Sequence, residues 1–201
     1  MKIIFVRHGK DDDRFRGGWN NFDLLPQGVN EAKLLAKHLK ANKDFYNISY
    51  IISSDLPRTM TTAGFAAEEL GLPVLKEPRI REINNGDLSG MLNDDALIKY
   101  PGLFFNTLQM DEPYPNGESP NDFYVRIKTW FESFINEYKN SDGNVFVVTH
   151  SGVINIVYHI VKNVNWNNKL PFFKISNCGI HILDTSSMKL EIENKIDFLM
   201  E

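Results

Sequence analysis

The chain has 201 residues, of which 42% are hydrophobic and 24% charged, values that exclude an intrinsically disordered polymer. A formal net charge of -4 argues against a nucleic-acid partner, whose binding needs clustered lysine and arginine. With one cysteine, Cys178, no intrachain disulfide is possible, and no apolar run approaches the ~18 residues of a membrane span. The expectation is a cytoplasmic protein with no membrane contact, built as one domain over residues 1–201.

The first predicted element is a strand over Lys2–Arg7, where four apolar residues run directly into Arg7, His8 and Gly9. Val29, Ala32, Ala36 and Leu39 then recur with helical period, predicting an amphipathic helix over Gln27–Lys40. A strand follows over Ile48–Ser53, then a helix starting at Pro57 with Asp55 as its upstream cap. After a short strand near Val74–Glu77 the periodicity fades between Gly90 and Ser119. That Pro-, Asn- and Asp-rich stretch, with a short helical piece near Ala96–Tyr100, reads as a small helical insertion (about 91–119) over the active site. "SPND" at Ser119–Asp122 is a capping signal for a long aromatic helix over 121–139. A strand over Val145–Thr149 leads to a helix opened by Ser151 and Gly152, and a late strand pair, Cys178–Leu183 and Lys189–Ile196, flanks "DTSSM". Strands alternating with helices predict an α/β fold, a three-layer α/β/α sandwich around a mostly parallel central sheet.

Ligands of such sheets bind beyond the carboxyl ends of the strands. Arg7 and His8 end the first strand, His150 ends another, and Arg58 lies in the first turn of the helix after a third. Two arginines and two histidines in one crevice describe a phosphate site, because guanidinium groups stay cationic and grip two oxygens at once.

"VRHGK", "SSDLPRTMTTA" at 53–63, "REINNGDLSG" at 81–90, "NGES" at 116–119 and "VVTHSGVI" at 147–154 together resemble the ordered motifs of the histidine phosphatase superfamily, the phosphoglycerate-mutase-like fold. The resemblance implies His8 as nucleophile, Arg7, Arg58 and His150 as phosphate ligands, and Glu82 as proton donor. The chemistry agrees: a neutral imidazole attacks phosphorus, its other ring nitrogen donates to a fixed acceptor such as a backbone carbonyl, and a carboxylic acid protonates the leaving alkoxide. An activity optimum on the acidic side of neutral is expected. Neither metal nor cofactor is required by this scheme.

Many members of the superfamily carry Glu or Gln after "RHG" and an Asn shortly beyond; here Lys10 and Arg14 stand there, followed by Arg16. These three cations either recognise a second anionic group of the substrate or balance Asp11–Asp13 in a solvated loop. Ser151, at the head of the helix after His150, is placed with them as a substrate contact. His38, His159, His181 and the buried small residue Cys178 are assigned no chemistry. Phe104, Phe105, Leu108 and Met110 of the insertion face the substrate's organic part or pack onto the sheet, packing being the simpler reading. The span between Glu82 and His150 leaves little chain for a lid that would keep water from a phosphorylated intermediate. The expected activity is therefore hydrolysis of a small phosphorylated metabolite. Phosphoglycerate-mutase-type transfer, a protein (phosphohistidine) phosphatase and a non-enzymatic phospho-ligand binder stay open, as does the choice between monomer and homodimer.

Overall fold

The computed structural model describes residues 1–169 and 172–200. Six strands form one sheet: β1 (Lys2–Arg7), β2 (Ile48–Ser53), β3 (Val74–Lys76), β4 (Asn144–Thr149), β5 (Ile180–Asp184) and β6 (Lys189–Lys195). Their order is β3-β2-β4-β1-β5-β6, with β1 to β4 parallel and β5 antiparallel to both β1 and β6. The helices are α1 (Pro26–Ala41), α2 (Lys43–Tyr46), α3 (Pro57–Leu70), α4 (Asn93–Lys99), α5 (Pro120–Tyr138) and α6 (Ser151–Val161).

Side-chain alternation along β1 builds the layers. Ile3 and Phe5 pack with Trp130 and Phe131 of α5 and Val153 of α6, whereas Ile4 and Val6 pack with Leu35 of α1 and Ala63 of α3. The sheet is thus buried on both faces, as the continuous apolar run Ile3–Val6 requires. Phe5 and Trp130 meet edge to face with ring centroids 6.5 Å apart.

Local signals hold with two corrections. The Ser119–Asp122 capping box forms, Ser119 Oγ accepting from Asp122 N at 3.1 Å while Asp122 returns the bond to Ser119 N at 3.0 Å. Asp55, by contrast, does not cap α3, whose N-cap is Leu56; its carboxylate takes a two-bond grip from Arg81 instead. The strand expected from Cys178 begins at Ile180, because Cys178 adopts a left-handed φ of 52° that breaks the ladder. α2 is too short for its periodicity to be visible in sequence. Among the described residues no helix is long and apolar enough to cross a membrane.

β1 and β4 are adjacent, Arg7 lying beside Thr149. The chain leaves β1 for α1 on one face of the sheet and leaves β4 for α6 on the other, so a crevice opens between these two strand ends.

Candidate active site

His8 and His150, the first residues past β1 and β4, face each other with ring centroids 5.1 Å apart. His8 is held by its own neighbourhood. Its backbone N–H continues the ladder to the Thr149 carbonyl at 3.0 Å, and its Nδ1 lies 2.8 Å from the Gly9 carbonyl oxygen. A carbonyl only accepts, so Nδ1 carries the proton and the Nε2 lone pair is left to face the crevice. That fixed tautomer is the one the sequence argument asked for. The loop needs a glycine after His8, since a Cβ on Gly9 would stand 2.4 Å from the Gly28 carbonyl of α1.

Arg58, in the first turn of α3, is the hub of the crevice and is 2% exposed. Its Nε–H points to His8 Nε2 at 3.3 Å; Nη2 donates to the Gly18 carbonyl at 2.8 Å and to His150 Nδ1 at 3.3 Å; Nη1 donates to Asn20 O and Oδ1 at 3.3 and 3.2 Å. His150 therefore accepts at Nδ1, and its Nε2 shares a bond with Ser54 Oγ at 3.0 Å. Burial, reinforced by Arg58 and Arg7, holds the His8 imidazole well below its usual pKa, and burial with the Arg58 charge does the same to His150. Both rings are accordingly neutral near pH 7, the state in which an imidazole keeps a nitrogen lone pair. Arg7 donates from Nη1 to the Ile175 carbonyl at 3.2 Å, while its Nε is buried without a partner. An unsatisfied cationic donor beside a second guanidinium and two neutral imidazoles makes a cup shaped by charge for an anion.

Glu82 closes the other side. Its Oε2 accepts from Gly152 N at 3.0 Å and stands 3.5 Å from Ser151 Oγ, so the carboxyl sits on the N-terminus of α6. Its backbone carbonyl receives Trp19 Nε1 at 2.7 Å and Arg126 Nη2 at 3.1 Å. Glu118 of "NGES" explains that motif: its carboxylate grips Arg126 at 2.7 Å and accepts from Asn84 N at 2.8 Å, fixing the backbone on which Glu82 rides.

The three cations of the first loop separate. Lys10 is tied to Asp13 at 2.6 Å, and the exposed Arg14 to Asp12 at 2.6 Å, outside the crevice. Arg16 instead lines a cavity of about 390 Å³ next to the cup, with its guanidinium carbon 4.5 Å above the Phe104 ring. In the insertion Leu108 is buried in the core, while Phe104 and Phe105 line that cavity. Cys178 is fully buried, and burial pushes its thiol pKa up.

Asn20, Asp11, Trp19 and Arg126 carry no site signal in the sequence. Asn20, 7% exposed, holds Arg58 but carries no periodic or motif signal. Asp11, expected in a solvated loop with Asp12 and Asp13, turns inward and places Oδ2 3.6 Å from Arg58 Nε. Ser54, bonded to His150 Nε2 at 3.0 Å, and Thr62, which joins Gly9 N to the Arg58 carbonyl at 3.1 and 2.8 Å, both fall within the "SSDLPRTMTTA" motif.

The comparisons place this fold and its strand-end cup in one family. Residues 3–197 match the histidine phosphatase superfamily (branch 1), to which the chain belongs. It is 34% identical over 172 residues to phosphoserine phosphatase 1 of Hydrogenobacter thermophilus, covering 82% of this chain and 78% of that protein. It is also 27% identical to a 2,3-bisphosphoglycerate-dependent phosphoglycerate mutase of Bradyrhizobium sp., covering 97% and 96%. Among solved structures, the α-ribazole phosphatase of Shigella flexneri superimposes with a TM-score of 0.82 at 20% identity, covering 97% of this chain and 96% of that one. A mycobacterial glucosyl-3-phosphoglycerate phosphatase gives 0.72 at 24%, covering 96% and 98%. At these identities the structural likenesses establish the fold.

Proposed function

We propose that the chain is a phosphomonoester hydrolase that acts on a small phosphorylated metabolite through a phosphohistidine at His8. The observation that carries this reading is the His8 ring: Nδ1–H is committed to Gly9, which leaves the lone pair on Nε2, facing Arg58 Nε at 3.3 Å.

In the first step the Nε2 lone pair forms a bond to phosphorus as the ester P–O bond breaks, and Glu82 gives its proton to the departing alcohol oxygen. Arg58, Arg7 and His150 take the charge that spreads over the phosphoryl oxygens. In the second step Glu82, now a carboxylate, removes a proton from water as that water bonds to phosphorus. The P–N bond breaks, the electron pair returns to Nε2, and inorganic phosphate leaves. Arg126 and Trp19 hold Glu82 for both steps through its backbone carbonyl. Ser151, whose Oγ borders that carboxyl at 3.5 Å, is the candidate contact for a substrate oxygen.

Hydrolysis is favoured over mutase transfer by the short insertion, whose only α-helix among the described residues is α4, of 7 residues, and by the identity to a phosphoserine phosphatase. Mutase chemistry is the second reading, supported by the relative that covers nearly the whole chain. A panel of phosphorylated metabolites, assayed for both released phosphate and positional transfer, separates the two. Net phosphate release supports the hydrolase, and isomerisation without release selects the mutase.

A further inference from the structure

The two arginines of the cup are held very differently. Arg58 donates to five atoms, whereas the Arg7 guanidinium makes one hydrogen bond among the described residues, from Nη1 to the Ile175 carbonyl at 3.2 Å. Its Nε is buried without a partner, so that single bond sets the direction in which the fork points. The carbonyl belongs to a loop, Ile175–Cys178, that also backs the rest of the strand end. Cys178 N donates to the Arg7 carbonyl at 2.9 Å, and Asn177 Nδ2 donates to the His8 carbonyl at 2.9 Å.

That loop is pinned from the far edge of the sheet. Asn194 Oδ1 accepts from Ser176 N at 2.7 Å and Asn194 Nδ2 donates to Ser176 Oγ at 3.1 Å, so one side chain grips both the backbone and the hydroxyl of the residue after Ile175. The sheet bends to allow it. Ile180 pairs with Lys195 and Ile182 with Ile192, so β6 advances three residues where β5 advances two. Such a bulge re-aims a side chain, and bulges of this kind gather beside active sites. Asn194 lies within it and adopts a left-handed φ of 55°, which asparagine tolerates better than most residues. Its N–H donates to His181 Nδ1 at 3.2 Å, and that nitrogen, being an acceptor, also takes the Tyr158 hydroxyl at 2.6 Å. Gly179 leaves room for the grip, since a Cβ there would stand 2.7 Å from Asn194 Oδ1.

Resting on the reading above, in which Arg7 is a phosphate ligand, we propose that Asn194 is a positioning residue for the phosphate site: through Ser176 it holds the Ile175 carbonyl at the point that aims the Arg7 guanidinium at the phosphoryl oxygens. The test is a double-mutant cycle read as the affinity for inorganic phosphate, measured by calorimetry. Asn194→Gly removes the side chain while keeping the left-handed backbone, and should weaken phosphate binding about five- to tenfold in otherwise wild-type protein. In Arg7→Ala protein, itself a weaker binder, the same replacement should change the affinity by less than about twofold, because no guanidinium is left to aim. A general loosening of the fold would weaken both backgrounds alike. Equal losses in the two backgrounds therefore overturn the proposal, as does unchanged binding after Asn194→Gly alone. Ser176→Ala removes the Oγ bond and leaves the backbone one; it should weaken binding about threefold, and only where Arg7 is present. It decides the matter if Asn194→Gly does not fold, an unchanged affinity then overturning the proposal. Phosphate bound equally by wild type and Arg7→Ala, or not bound by wild type, would instead remove Arg7 from the cup and overturn the reading on which the proposal rests.

Discussion

Replacing Gly152 by alanine isolates the carboxyl of Glu82 from the stability of the fold. A Cβ at position 152 would lie 2.2 Å from Glu82 Oε1 and 3.0 Å from both its Cδ and Phe123 Cε1. The first conflict is with the end of a flexible side chain, so Glu82 moves and the helix stays. Alanine is intrinsically the better helix former by about 1 kcal/mol, which offsets the cost of nudging Phe123, and the thermal midpoint should stay within about 4 °C of wild type. The carboxyl, however, leaves its seat on Gly152 N, at 3.0 Å, and with it the place from which the proposed mechanism has it protonate the alcohol. General acid catalysis contributes about 10²–10⁴-fold, or about 3–5 kcal/mol of barrier. Since kcat/KM reports the steps through His8 phosphorylation, it should fall by about 10²–10⁴ for an alkyl ester such as glycerol phosphate. For p-nitrophenyl phosphate, whose phenolate departs without a proton, it should fall by about tenfold or less. A folded Gly152→Ala protein with undiminished kcat/KM on the alkyl ester would refute this reasoning, as would equal losses on both esters.

Other consequences are equally concrete. His8, His150 and His181 all have depressed pKa values in the fold, burial being the main cause, with His181 down to about 4. Below pH 6.5 the unfolded chain takes up protons that the folded chain refuses, so their contribution to stability is present above that pH and lost as pH falls toward the folded values, by up to about 1.4 kcal/mol per pH unit for each ring; urea midpoints that stay flat between pH 7 and pH 5 would contradict this. Asp11→Asn removes a carboxylate 3.6 Å from Arg58 Nε and should tighten competitive inhibition by inorganic phosphate roughly fivefold, about 1 kcal/mol, whereas unchanged or weaker inhibition would show that Asp11 does not oppose the anion. Arg14→Ala should leave kcat/KM for singly and multiply charged esters alike within about twofold, because Arg14 is spent on Asp12 at the surface, and a selective loss on the multiply charged ester would restore Arg14 to the substrate.

The sequence was most readable where one physical signal acts alone. β1 matches its predicted limits because an apolar run buried on both faces has no competing reading. Arg7, His8, Arg58 and His150 were legible because strand ends and a helix first turn must converge in a parallel sheet. What stayed hidden depends on side-chain direction. Asp11 and Asp12 are neighbours of identical type, yet one turns to a buried guanidinium and the other to an exposed one. Asn20 is legible only once Arg58 needs an acceptor, and the cavity at Arg16 is assembled from five separate segments with no common period. Asp55 looked like a cap because a cap and an ion-pair partner use the same carboxylate; Arg81, 26 residues on, decided between them.

The central claim is a covalent bond between His8 Nε2 and phosphorus. Mixing enzyme with excess substrate, quenching in alkali, where phosphohistidine survives, and mapping phosphorylated peptides by mass spectrometry tests it directly. The account predicts transient phosphate on the peptide containing His8 within the first turnover, absent from a folded His8→Asn protein that also releases no phosphate. Phosphate carried by a different residue, or release at wild-type rates by His8→Asn, would contradict it.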